Sequence, residues 1–294
     1  MNISVQQVKE LRERTGLGMM ECKAALTETS GDMEAAVDLL RKRAGAKVEK
    51  KAGRIATEGS IGTYIAPDRK TAAMVEVNCE TDFVAKGDDF AALTVAAAAC
   101  VAGRKPAGVD ALYQLPFAEG SAQTFGQARE GLVMKLGENI NIRRFERMTS
   151  DKGHFASYTH GRKIGVIVEM EGGDESLARD IAMHVAASRP ECVSPEQVSA
   201  AAIAKEKEIF IEQAKGSGKP PEIVEKMVMG RINKYLAEIT LLGQPFVKDP
   251  DTTVGKLLTA KGAKVVRFVR YEVGEGMEKR VDDFAAEVLA AAGV

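Results

Sequence analysis

The side chains able to do covalent chemistry or bind metal are few and scattered. The histidines are His154, His160 and His184. His154 and His160 flank a strand-like segment, a spacing that supplies no metal geometry by itself, because zinc needs ligands converging from several sides. His184 lies in the helical stretch "IAMHVAAS", where the ordinary role is a packed or boundary histidine. Cys22, Cys79, Cys100 and Cys192 form no C-x-x-C pair. With no signal peptide evident, they read as free, mostly buried thiols of a reducing cytoplasm. No Ser-His-Asp or Cys-His constellation can be assembled. The expectation is a protein without covalent chemistry of its own, without a cofactor and without a bound metal.

The glycine-containing stretches do not hold phosphates either. "KGSGKPP" offers Gly218-Lys219, but Gln213 stands where a phosphate loop needs its first glycine, and Pro220 replaces the magnesium-binding hydroxyl. "RTGLGMM" is not a dinucleotide fingerprint, since no strand precedes it and no third glycine follows.

What remains is "EVNCETDFVAK" at residues 76–86. Its first half reads as the end of a buried strand, and a helix is about to begin. At the turn, the large apolar ring of Phe83 sits beside the carboxylate of Asp82, with Thr81 and Val84 on either side. The residues alone allow two readings: a core ring, or a wedge presented to another molecule.

The bulk of the chain must position that turn. Its 294 residues are enough for two or three compact units. With 41 basic and 42 acidic residues the net charge is -1, which makes nucleic acid an unlikely partner for the chain as a whole. Aromatic residues make up 5% and Trp is absent, so the core leans on aliphatic residues and each Phe stands out. No apolar run reaches the roughly 18 residues that span a bilayer; the longest, at 91–102, is alanine-rich.

Residues 1–45 read as three short helices. Ser4 is the expected N-cap of the first, Met20, Ala24 and Leu26 mark the second, and Val37, Leu39 and Leu40 mark the third. Stretch 41–54, "RKRAGAKVEKKAGR", sets seven basic residues against Glu49. It is expected to be a solvated linker, with a basic contact patch as the alternative, and residues 46–57 are taken as the linker proper. The period then changes to two. Segments 60–65 and 71–77 form a hairpin around "APDRK", helices are expected at 88–102 and 117–136, and a strand at 139–148. The pattern returns as a second hairpin, 155–160 and 164–170, followed by a helix. "TYIA" and "SYTH" lie 94 residues apart, and "VEV" and "VEM" 93. A duplicated α+β unit is the expectation, its second copy interrupted at 194–239 by a projecting αα-hairpin with Ile203, Phe210 and Ala214 on one arm and Ile223, Met227 and Tyr235 on the other. A helix near 251–261, a strand at 264–273 and an amphipathic helix at 278–292 complete the reading.

At "CETDFVAK" the chain resembles the bacterial translation elongation factor Ts family. "VKELRERTGLGMMECKAAL", "KLGENINIRR", "IAMHVAAS", "GQPFV" and "FVRYEVGEG" follow that family's order across nearly the whole length. The resemblance implies an α+β fold. Its parts are an N-terminal three-helix domain similar to ubiquitin-associated domains (1–45), a core of two related α+β subdomains with antiparallel sheets (58–148, then 149–193 with 240–276), an inserted antiparallel helical hairpin of coiled-coil type (194–239) and a C-terminal helical module (277–294). It also implies guanine-nucleotide exchange on elongation factor Tu in the cytoplasm. Thr81, Asp82, Phe83 and Val84 would enter the GTPase domain near its magnesium ion and dislodge the ion. Arg12, Met19 and Met20 resemble positions that touch the same domain; for the methionines a core role is the alternative. His160 resembles a position facing another domain of the partner, or it is a plain surface histidine. A homodimer or a two-plus-two complex is compatible with the family. The rival functions are an RNA-binding translation factor, using 41–54 and "RRFER" at 143–147, and a non-catalytic adaptor.

Overall fold

The structure is a computed structural model that describes residues 3–215 and 220–278. The expected helix at 278–292, apart from its first residue, and the glycines of "GSGKPP" lie outside the described residues. The chain forms two compact units. Among the described residues, the first holds 3–62, Val75–Glu146 and 272–278; the second holds Thr63–Met74 and 147–271. The architecture is α+β.

The first unit opens with α1 (Val5–Thr15), α2 (Met19–Glu28) and α3 (Met33–Ala52). Ser4 caps α1 through a capping box: its hydroxyl accepts from Gln7 N, and the Gln7 side chain accepts from Ser4 N. Val8, Leu11, Leu17, Cys22, Ala25, Leu26, Ala36, Leu40 and Ala44 build the bundle core. The inner face of α2 is therefore Cys22, Ala25 and Leu26 rather than the expected Met20, Ala24 and Leu26; Met20 points to solvent. The expected solvated linker is also corrected. Helix α3 continues to Ala52 because Ala44 and Val48, one turn apart, are buried and Lys47, Lys50 and Lys51 are good helix formers.

Strand β1 (Glu58–Ile65) and β2 (Thr71–Cys79) lead to α4 (Asp82–Ala85), α5 (Asp88–Arg104), α6 (Val109–Gln114) and α7 (Phe125–Leu136), then β3 (Asn141–Thr149). The expected helix over 117–136 starts only at Phe125. Residues 115–124 are irregular, with Gly120 at φ 73°, and Thr124 begins α7 with a second capping box to Gln127. Strand β2 lies between β1 and β3 and is buried from Ala72 to Cys79, on both faces. Helix α5 lies so close to β1 that a Cβ at Gly62 would meet Thr94 O at 2.8 Å.

The second unit repeats the order. Strand β4 (His154–His160) pairs antiparallel with β5 (Ile164–Glu171), from His154 opposite Met170 to His160 opposite Ile164. Helix α8 (Glu175–Ser188) follows, and β8 (Lys264–Glu272) hydrogen-bonds to β5 as β3 does to β2. Hairpin, helix and returning third strand thus recur in the same sheet order. Between α8 and β8 stand α9 (Ala200–Lys215), α10 (Pro221–Ile239), the short β6 (Pro245–Phe246) and β7 (Asp249–Thr253), and α11 (Val254–Ala260), which Thr253 caps. The stripe joining α9 to α10 is corrected on one arm. Ala214 with Ile203 and Phe210 meets Val224, Val228, Ile232 and Leu236, spaced four apart, while Ile223 is exposed.

One buried carboxylate ties the first unit together after β8. Glu76 on β2 is fully buried and accepts from Arg143 Nη1 at 3.0 Å, Arg144 Nε at 2.6 Å, Asn78 Nδ2 at 3.2 Å and Gly274 N at 2.8 Å. Gly274 has φ 73°, and a Cβ there would meet Thr57 O at 2.5 Å, so only glycine fits. Burial pushes the Glu76 carboxyl up, but the Gly274 amide, Arg144, Arg143 and Asn78 outweigh it and hold it below the usual carboxylate range.

Candidate functional site

The turn between β2 and α5 is short and its polar groups are bonded. Thr81 is the N-cap of the one-turn helix α4, with extended backbone (φ −123°, ψ 152°), and its hydroxyl accepts from Val84 N at 3.3 Å. Its carbonyl accepts from Ala85 N at 3.3 Å and from the Cys79 thiol at 3.1 Å. Burial, reinforced by the charges of Glu138 and Glu58, pushes that thiol up to about 12, so it stays protonated and donates. Val84 and Ala85 point inward and are buried. Gly87 N then donates to Val84 O at 3.0 Å, and α5 begins with Asp88.

The apolar side chain between these anchors points out. Phe83 is 86% exposed, the most exposed of the large hydrophobic residues among those described. Beside it, Asp82 pairs with Lys86 one turn on at 2.6 Å. The turn does not bury its own ring; it holds the ring in water, which an isolated chain has no hydrophobic reason to do.

A residue not singled out in the sequence reading secures the turn. The Glu138 carboxylate accepts from Glu80 N and Thr81 N, both at 3.0 Å, and from the Thr81 hydroxyl at 2.6 Å. It stands just after Gly137, the left-handed C-cap of α7. The motifs "NCETDFVAK" and "KLGENINIRR" are thus one site, but their separation of 57 residues hides this in the linear chain.

The other candidates are placed as follows. Arg12, in the last turn of α1, is exposed. Met19 and Met20, at the start of α2, are 44% and 77% exposed and are not among the bundle's core residues. All three lie in the first unit with the Phe83 turn, whereas His160 lies at the end of β4 in the second. His160 is exposed, and its Nδ1 lies 3.3 Å from the Tyr158 hydroxyl. His184 has a different task. It is fully buried, its Nε2 meets Gln244 Oε1 at 3.0 Å, and its Nδ1 accepts from Val247 N at 3.1 Å. Nδ1 as acceptor fixes the neutral tautomer with the proton on Nε2. This clip joins "IAMHVAAS" to "GQPFV".

Several cations of the basic stretch are occupied within the chain. Lys47 pairs with Glu21 at 2.6 Å, Arg54 reaches Glu80 at 3.5 Å, Arg43 pairs with Glu28, and Lys51 donates to Gly137 O. Arg143 and Arg144 of "RRFER" are held on Glu76. Among the described residues, no group of three or more His, Cys, Asp or Glu could hold a metal ion, and no helix is long and apolar enough to cross a membrane.

The architecture is the α+β one that the family resemblance implies, and comparison with known proteins shows the class, the translation elongation factors. A family model described as "Elongation factor TS" matches residues 80–275. Proteins named "Elongation factor Ts" from Methylococcus capsulatus and Thioalkalivibrio sulfidiphilus are 60% and 58% identical to this chain over 290 and 293 residues. The matches cover 99% of this chain in both cases, and 98% and 99% of those relatives. The namesake from Halorhodospira halophila is 54% identical over 290 residues, covering 99% of this chain and 98% of its own. The chain belongs to the elongation factor Ts family.

Proposed function

We propose that this chain is a guanine-nucleotide exchange factor for elongation factor Tu. It binds the GDP-bound GTPase, loosens magnesium and GDP, and lets GTP enter. One observation carries the reading: Phe83, 86% exposed, stands on a turn whose neighbours on both sides are anchored. Docked between helices of the partner, the ring acts as a wedge, with Asp82 beside it as a polar latch and Thr81 and Val84 as its footing. Magnesium demands near-octahedral geometry at about 2.0–2.1 Å, so a ligand-bearing element moved by an ångström loses its hold. The phosphates that the ion neutralised are then less well compensated. Arg12, Met19 and Met20 supply further contacts to the GTPase domain, and His160 meets another domain. The cytoplasm is where the reaction occurs.

Magnitudes limit what one ring can do. Burying a Phe contributes about 1.5–3 kcal/mol, and each tenfold in rate needs about 1.4 kcal/mol, so the wedge alone accounts for roughly ten- to a hundredfold. Larger accelerations need the additional contacts. The test is stopped-flow release of fluorescent GDP from elongation factor Tu. The chain should accelerate release, and Phe83→Ala should lose most of the acceleration while keeping its circular dichroism and melting temperature. Equal release by a folded Phe83→Ala would rule out the wedge.

A further inference from the structure

A helix of one turn cannot hold itself, because its nucleation cost exceeds what its few internal hydrogen bonds return. Helix α4, Asp82–Ala85, is of this kind, and it carries the Phe83 ring. On its C-terminal side Val84 and Ala85 are buried. On its N-terminal side the anchor is Glu138, which takes the amides of Glu80 and Thr81 and the Thr81 hydroxyl. Hydrogen bonds to an ionised carboxylate are roughly twice as strong as neutral ones.

The same node reaches the N-terminal bundle. Asn139 N donates to Glu80 Oε1 at 2.6 Å, and Asn139 Nδ2 donates to Ala52 O at 3.4 Å and to Arg54 O at 2.8 Å, at the end of α3. Lys51 of α3 donates to Gly137 O. Helix α7, which delivers these residues, packs against α3, and its Met134 lies in the bundle core with Leu40 and Ala44. Residues 137–139 therefore bind both the helix bundle that carries Arg12, Met19 and Met20 and the turn that carries Phe83.

We propose that Glu138 is a positioning residue for nucleotide exchange: its carboxylate fixes the turn to the end of α7 and so sets where Phe83 stands relative to the N-terminal bundle. The inference rests on the exchange reading above. Without Glu138 the ring is still present and exposed, but it samples many directions, and only a fraction of encounters places it correctly. Glutamine is the informative conservative change. Its Oε1 can accept from both amides and its NH2 can donate to the Thr81 hydroxyl, so the geometry survives without the charge.

The test uses the full chain in two assays. In the isolated protein, amide hydrogen exchange is read at Glu80, Thr81 and Val84. With elongation factor Tu, GDP release is read at saturating factor, with Phe83→Ala as the control. Glu138→Ala should speed exchange at these amides about tenfold or more and lower the saturating release rate by about tenfold, and Glu138→Gln should restore most of both. Unchanged amide exchange in Glu138→Ala overturns the inference. So does faster amide exchange with normal release while Phe83→Ala is slow; in that case the exchange reading stands and the positioning role falls. Normal release by Phe83→Ala would sink both.

Discussion

At the scale of single residues, two side chains of the same chemical type would look alike in the sequence and do different work. His160 is exposed at a strand end, whereas His184 is buried and hydrogen-bonded at both nitrogens. Burial pushes the His184 imidazole down, against the opposing pull of its Gln244 partner. A histidine depressed in the fold stabilises it above the unfolded pKa, near 6.5, and that contribution is lost as pH falls toward the folded value. The stability of the chain against urea should therefore fall as pH drops below about 6.5. His184→Asn should be less stable at pH 7.5 but flatter across that range; an unchanged slope would contradict the assignment. Phe83 shows the limit of residue-scale reading. Its place at a turn was visible in "CETDFVAK", but its direction was not, because exposure depends on Val84 and Ala85 taking the inward positions.

At the scale of elements, local signals were legible where the code is local. Ser4 and Gln7 announce the start of α1, and the alternating runs mark both hairpins. The end of α3 was misread because seven cations look solvated, whereas the buried Ala44 and Val48 and partners such as Glu21 keep that stretch helical. The helical hairpin shows a related error, since its inner stripe follows Val224, Val228 and Ile232. Ile232→Ala should therefore open α9 and α10 to hydrogen exchange with a cost of about 2–4 kcal/mol. Ile223→Ala, at an exposed position, should stay within about 0.5 kcal/mol. The reverse order of sensitivity would restore the original stripe. The Glu76 hub makes a third element-scale prediction. Glu76→Ala leaves Arg143 without its carboxylate partner, removes one from Arg144, which keeps Glu275, and should cost about 3–5 kcal/mol. Because the Glu76 carboxyl is held low, its stabilisation is full above the unfolded carboxylate pKa near 4.3 and is lost as pH falls through the lower folded value. The wild-type chain should thus lose more stability than Glu76→Gln on acidification below about pH 4.

At the scale of the whole molecule, the duplication was legible as order and nearly invisible as letters. Sheet orders β1-β2-β3 and β4-β5-β8 repeat a topology that the short matches only hinted at. The contacts that make the candidate site were hidden, because Glu138 and Thr81 meet across 57 residues and nothing local requires it. Balanced charge and internally paired cations argue against an RNA-binding function. The exchange reading carries a thermodynamic obligation: whatever factor this chain takes from GDP affinity, GDP must take from the affinity of the chain for elongation factor Tu. Titration calorimetry with nucleotide-free and GDP-saturated partner should return that same factor in both directions.

The outward ring of Phe83 is proposed to speed release by disturbing the partner's magnesium site. Saturating GDP release by wild type and by Phe83→Ala, each measured with magnesium and with the ion chelated, tests it most directly. The wild-type advantage should be about tenfold or more with magnesium and shrink toward unity without it. An advantage of equal size in both conditions would contradict the account.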